Sequence, residues 1–141
     1  MILKVKLDEG AFAPTTAHKA DAGYDLRTPK EFTIYPEGFA IIDTGVHMAI
    51  PEGYVGLLKS KSGLNVKNHL TGEGVIDSGY TGSIVCKLYH NGHYNNPSVH
   101  FERGDKIIQI LLVPIIKPEI EIVDSLEDTD RGDNGFGSTG R

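Results

Sequence analysis

Phe32-Thr-Ile-Tyr-Pro-Glu-Gly-Phe-Ala-Ile-Ile-Asp-Thr-Gly-Val-His-Met-Ala-Ile-Pro-Glu-Gly-Tyr-Val-Gly-Leu-Leu58 decides the fold. It holds four short apolar segments, Phe32–Tyr35, Phe39–Ile42, Gly45–Ile50 and Tyr54–Leu58, with Pro36-Glu-Gly38 and Pro51-Glu-Gly53 between them. Proline presets φ for a turn, and glycine takes the positive φ that many turns need. Segments of this length, apolar and closed by such turns, read as strands.

The pattern continues outward on both sides. Met1–Leu7 alternates and reads as a short strand, without the apolar core of a signal peptide. Ser83–Tyr89 places Ile84, Cys86 and Leu88 on one face, as a half-buried strand requires. Asp105–Val113 is nearly continuously apolar, so burial on both faces is expected. Ile120–Val123 is expected as a last strand. Helix is scarce: one or two turns between Ser62 and His69, with Ser60 or Ser62 able to cap them. The expected class is therefore all-β, a sandwich or barrel with one short helix.

The chain has 141 residues, enough for one domain with its own core. That domain is expected over 1–124, followed by a flexible glycine-rich arm over 125–141. A net charge of -5 argues against wrapping nucleic acid, which needs a basic face. It leaves room for a small phosphorylated ligand, which needs only local positive charge or a metal. No apolar run is long enough to span a membrane. Cys86 is the only cysteine, which excludes an internal disulfide and a cysteine-rich zinc site. A cytoplasmic protein is expected.

Five polar, glycine-marked segments interrupt the strands. Asp21-Ala-Gly-Tyr-Asp-Leu26 is a turn entering a strand, or a carboxylate placed to hold hydrated Mg²⁺. Lys59-Ser-Lys-Ser-Gly-Leu64 puts two lysines and two serines at a helix start, either a solvated cap or an anion site. In Gly74-Val-Ile-Asp-Ser-Gly-Tyr-Thr-Gly82, Asp77 follows an apolar pair, and partial desolvation would suit it to act as a base toward water. Arg103-Gly-Asp-Lys-Ile-Ile-Gln109 leaves Gln109 among isoleucines in need of a partner. The last, Arg131-Gly-Asp-Asn-Gly-Phe-Gly-Ser-Thr-Gly-Arg141, cannot build a core. Four of its eleven residues are glycine. It reads as a polar terminus or as an arm that closes over a ligand carrying phosphate and a ring.

In this order and spacing the five segments resemble the trimeric dUTP pyrophosphatase (dUTPase) family, over about Lys19 to Arg141. The strongest matches are Ala22-Gly-Tyr-Asp-Leu26, Gly74-Val-Ile-Asp77 with Tyr80 and Gly82, and the arm. The resemblance implies a distorted jelly roll, a homotrimer with shared sites, Mg²⁺, and hydrolysis of dUTP to dUMP and pyrophosphate. It implies that Asp77 activates the attacking water and that Asp25 holds the metal through water. Lys61, Ser62, Gly63 and Gln109 are implied at the phosphates. The backbone of Gly74, Val75 and Ile76 is implied at the uracil edge, and Tyr80 under the deoxyribose, leaving no room for a 2′-hydroxyl. From the arm, Phe136 is implied over the uracil, with Arg131, Gly137, Ser138 and Thr139 at the phosphate end. Three positions depart from the family pattern: Lys61 in place of the usual Arg, Thr71 in place of an Asn that often contacts uracil, and His90 in place of an Asn. The related dCTP deaminases share the fold but use a Glu on the strand after the hairpin, where this chain has Lys87.

Overall fold

The turn-closed segments do form strands. The computed structural model describes residues 1–135. In chain order they are β1 (Val5–Leu7), β2 (Tyr24–Arg27), β3 (Phe32–Ile34), β4 (Phe39–Asp43), β5 (Val46–Met48) and β6 (Tyr54–Lys59). Then come α1 (Ser62–Asn68), β7 (Leu70–Thr71), β8 (Glu73–Ile76), β9 (Val85–His90), β10 (Val99–Phe101) and β11 (Lys106–Pro114). They wrap into a distorted jelly roll made of short antiparallel sheets. The largest has the order β2-β11-β6-β8, and a second has the order β4-β9-β7. Pairs β1-β5 and β10-β3 complete the wall. No helix among the described residues is long and apolar enough to cross a membrane.

The core is aliphatic and rich in isoleucine: Ile34, Ile42, Ile50, Ile84, Ile107, Ile108 and Ile110 are all buried, with Leu26, Leu58, Leu70 and Leu88. Branched side chains suit the pleated surface they pack against. Cys86 is part of this core, and burial pushes its thiol up to about 12, so it is inert packing rather than a nucleophile. β11 is the hub. It pairs with β2 on one side and with β6 on the other. Its first half is buried, while Leu111, Leu112 and Val113 are only half-buried, so burial on both faces holds for part of the strand.

Two expectations fail, each for a physical reason. Ile120–Val123 is not a strand; Ile120 and Ile122 are almost fully exposed. A strand needs a ladder partner, and the chain offers this segment none among the described residues. Neither Ser60 nor Ser62 caps α1: Lys61 holds the cap position with no side-chain cap bond. Ser60 instead donates its hydroxyl to the Gly72 carbonyl at 3.2 Å and accepts from the Gly72 N–H at 2.9 Å.

That bridge brings β6 and the start of β8 together at Gly72, where no side chain fits. A Cβ there would meet Leu88 Cδ2 at 2.6 Å and, less yieldingly, the Lys87 carbonyl oxygen at 3.0 Å. Gly72→Ala should therefore cost about 1–3 kcal/mol through overpacking. Thermal unfolding should show Tm lowered by roughly 3–10 °C; an unchanged Tm would refute the close-packing account.

Candidate active site

Asp25, Gln109, Lys59 and Glu73 form one row across the large sheet, each paired with the next. Residues directly opposite in a ladder point to the same face, so the row gathers polar groups where β2, β11 and β6 meet. Asp25 is buried there. Its backbone is bridged to Thr15, and its two carboxylate oxygens are each taken by an ammonium, Lys61 on Oδ1 and Lys106 on Oδ2, the latter at 2.7 Å. Burial works to raise the Asp25 carboxyl, but the hydrogen bonds and charges of Lys106 and Lys61 outweigh it and hold the group below the ordinary carboxylate range. The three side chains carry a net single positive charge beside the exposed start of α1, where Ser62 and Gly63 stand.

Lys106 is the residue that sequence reasoning missed. In a regular strand, residues 106 and 109 face opposite sides. Here the register shifts: Lys106 opposes Arg27 while Ile108 opposes Leu26, so Ile107 is the extra residue of a bulge. The bulge returns Lys106 to the face of Asp25 and Gln109. Gln109 finds its partner by donating Nε2 to the Ser60 carbonyl at 3.1 Å. Gly23 leaves room for its other end, since a Cβ there would lie 2.8 Å from Gln109 Oε1.

The other half of the expected site lies on the hairpin after β8. Gly74, Val75 and Ile76 are in β8 itself, and Asp77 and Tyr80 are in the turn beyond it. Val75, Ile76, Asp77, Tyr80, Ser83 and Val85 line a cleft of about 260 Å³. Tyr80 donates its hydroxyl to the Ser83 carbonyl at 3.0 Å. Its ring lies against Gly82, where a Cβ would come 2.4 Å from Cζ. Gly82 is thus a platform for the tyrosine rather than a simple spacer. Asp77 is exposed, contrary to the expectation of partial desolvation, because β8 is the edge strand of its sheet and nothing in the same chain covers the turn among the described residues.

The remaining candidates are placed as follows. Arg131 is exposed and donates Nε to the Asn134 carbonyl of its own turn at 3.1 Å. Phe136, Gly137, Ser138 and Thr139 lie outside the described residues. Thr71 accepts from Asn91 Nδ2 at 2.6 Å and from Asn65 Nδ2 at 3.3 Å, so two asparagines surround the position where an Asn is usual. His90 is buried; Nδ1 accepts from the Gly92 N–H and Nε2 donates to the Pro97 carbonyl, both at 3.1 Å, which pins the following loop.

The structure does not bring the two halves together within one chain. Asp77 lies four residues beyond Glu73, about 13 Å along the strand. Glu73 is itself three strands from Asp25, about 14 Å across the sheet. No group of three or more His, Cys, Asp or Glu among the described residues could hold a metal unaided. With both Asp25 oxygens on ammoniums, the donor set fits a cation that arrives on phosphates and is met through water.

A family model for dUTPase matches residues 10–140. The chain belongs to the dUTPase family. The deoxyuridine 5′-triphosphate nucleotidohydrolase of Mus musculus is 40% identical over 138 residues, 97% of this chain and 83% of that protein. The one from Yarrowia lipolytica is 42% identical over 144 residues, 99% and 90% of the two chains. Among solved structures, a variant of the Staphylococcus bacteriophage 80alpha dUTPase with dUpNHpp is similar at a TM-score of 0.91 and 35% identity, over 99% of each chain. A variant of the dUTPase of phage phi11 of S. aureus, solved to show the coordination of a structural Mg(II) ion, is similar at 0.82 and 33%, over 91% of this chain and 100% of that one. The dUTPase match covers both Asp25 and Asp77, the anchors of the two halves.

The depressed Asp25 carboxyl makes a prediction about acid stability. Its contribution is fully present above the unfolded value of about 3.9 and is lost as pH falls through the lower folded value. Between pH 5 and pH 2.5 the parent should therefore lose more Tm than Asp25→Asn, which has no proton to take up at that position. Parallel Tm profiles for the two proteins would show that Asp25 carries no such linkage.

Proposed function

We propose that this chain hydrolyses dUTP to dUMP and pyrophosphate, at sites that two or more copies complete together. The observation that carries the reading is the pair of half-sites, a cationic phosphate end at Asp25 and a nucleoside end at Asp77, in a chain of the dUTPase family. The dUpNHpp found with the phage 80alpha protein supports it, since that molecule is a deoxyuridine triphosphate with an imido bridge.

In this reading Lys61, Lys106, Ser62, Gly63 and Gln109 hold the phosphates. The backbone of Gly74, Val75 and Ile76 meets the uracil edge. Tyr80, braced on Gly82, lies under the deoxyribose and excludes a 2′-hydroxyl. Asp77 takes a proton from water as the water oxygen bonds to phosphorus. A P–O bond of the triphosphate breaks, and pyrophosphate leaves. The reaction needs positioned groups and charge neutralisation rather than a covalent intermediate, which agrees with the inert Cys86. Mg²⁺ fits beside Asp25 through water, and when bound it neutralises phosphate charge. Residues 125–141 form the arm that covers the site, with Phe136 over uracil and Arg131, Gly137, Ser138 and Thr139 toward the phosphates. The assembly is a homotrimer, and a neighbouring chain supplies the cover that exposed Asp77 lacks.

Deamination of dCTP fits less well. Lys87, at the position of the deaminase Glu, lies over the rings of Phe39 and Tyr89, 4.0 and 4.7 Å from their centroids.

Incubation with each dNTP, UTP and Mg²⁺, followed by separation of products, tests the reading. dUMP and pyrophosphate from dUTP are expected, with dTTP and UTP poor substrates; equal hydrolysis of UTP and dUTP would rule out the role given to Tyr80. Asp77→Asn should retain dUTP binding and lose turnover by about 10²–10⁴-fold, the range for a general base. Turnover like that of the parent would remove Asp77 from the mechanism.

A further inference from the structure

The turn that carries Asp77 and Tyr80 is weakly tethered. Within residues 77–82 the bonds are local: the Tyr80 N–H donates to the Asp77 carbonyl at 3.3 Å, and the Tyr80 hydroxyl to the Ser83 carbonyl. Among the described residues, one side chain from elsewhere hydrogen-bonds this turn. It is His47 of β5, whose Nδ1 lies 2.7 Å from the Thr81 carbonyl oxygen. The opposite ring nitrogen, Nε2, lies 3.0 Å from the Asp8 carboxylate.

Both partners are acceptors only. A main-chain carbonyl has no hydrogen to give, and neither has an ionised carboxylate. A neutral imidazole carries one N–H, so it can satisfy one of the two and must turn a lone pair on the other. The arrangement is complete only when the ring is protonated on both nitrogens. We infer that His47, held as an imidazolium by Asp8, is a positioning residue that fixes the Asp77–Tyr80 turn for catalysis. The inference rests on the dUTP reading above.

The surroundings are consistent with this. β1 pairs with β5 so that Lys6 stands opposite His47, and Asp8 follows at the end of β1. Asp8 also accepts from Lys6 Nζ at 3.2 Å. Lys4 and Lys6 line the same cleft of about 240 Å³ as His47 and Thr81. The nearby Asp43 is engaged elsewhere, accepting from Ser83 Oγ and from the Gly45 N–H. The Thr81 carbonyl, then Asp8, raise the affinity of His47 for its proton, and the adjacent lysine lowers it; the balance lies above the ordinary imidazole value. The bridge is therefore intact where His47 is protonated and Asp8 ionised, and is lost as pH rises through that elevated value.

Steady-state dUTP hydrolysis from pH 6 to 9.5 tests this with four full-length proteins: parent, His47→Ala, His47→Asn and Asp8→Asn. In the parent, kcat/KM should fall as pH rises through the elevated His47 value, from the loss of its proton. His47→Ala should lower kcat/KM at pH 6.5 by about three- to ten-fold, the net weight of one solvent-exposed hydrogen bond, and abolish that fall. His47→Asn places an amide N–H near the position of Nδ1 and does not titrate. It should recover kcat/KM to within about two-fold at pH 6.5 and give a flat profile. Asp8→Asn keeps the ring but removes the charge that holds its proton, so the fall should move to lower pH; this variant decides the matter if His47→Ala does not fold. A His47→Ala protein with the parent's kcat/KM and pH profile would overturn the inference, and so would an Asp8→Asn profile that does not move. A parent that hydrolyses no dUTP at any pH would instead overturn the functional reading beneath it.

Discussion

The Asp25 carboxylate is the group on which the proposed phosphate end depends. It ties β2 to the start of β11 through Lys106 and to the helix entrance through Lys61. A buried carboxylate without partners would cost several kcal/mol or take up a proton; with two ammoniums it stays charged and leaves one positive charge over. The lysine side chains remain 27% and 32% exposed, so they can still meet an incoming anion. One buried negative charge thus fixes two cations and leaves them usable. It also gives a reason why lysine suffices at position 61: its partner is a single carboxylate oxygen, a contact that needs no planar fork.

The same sheet that positions these groups keeps Asp77 away from them. Register places Asp25 and Glu73 at the two ends of one row, and Asp77 four residues further along the edge strand. A hydrogen-bonded row of strands cannot fold the hairpin back over its own proposed phosphate end without breaking the ladder. The exposure of Asp77 has the same origin; separately, the segment after β11, which has no ladder partner among the described residues, leaves Ile116, Ile120, Ile122 and Leu126 almost bare. Separated half-sites and uncovered aliphatic residues support the proposal that copies complete the site together.

Much of the fold was legible because the signals were local. Pro36-Glu-Gly38 and Pro51-Glu-Gly53 delimit β3, β4, β5 and β6, and the alternation of Ile84, just before β9, with Cys86 and Leu88 within it correctly marks buried positions. Four of the five glycine-marked segments fall at the start of β2, the β6–α1 junction, the turn after β8 and the entry to β11. What could not be read was non-local. Lys106 joins the site only because a bulge at Ile107 reverses the expected alternation, and nothing in Arg103–Gln109 announces a bulge. The tether from His47 to Thr81 spans 34 residues and depends on how β5 packs beside the hairpin. The strand expected at Ile120–Val123 has the right pattern but no ladder among the described residues of its own chain, and pattern alone does not supply a partner.

Subunit exchange is the most direct test of a site divided between copies. One chain carries Asp77→Asn. The other carries Asp25→Asn, Lys61→Met and Lys106→Met together, so that the phosphate end is neutralised without leaving a buried charge unpaired. Each alone should be folded and inactive. After refolding in equal amounts, with exchange verified by mass, roughly a quarter of sites should combine an intact Asp77 with an intact phosphate end, by counting over a symmetric oligomer with sites at its contacts. dUTP hydrolysis should then return to about that fraction of the parent's rate. No activity after verified exchange would mean that each chain closes its own site, and the divided-site account would be wrong.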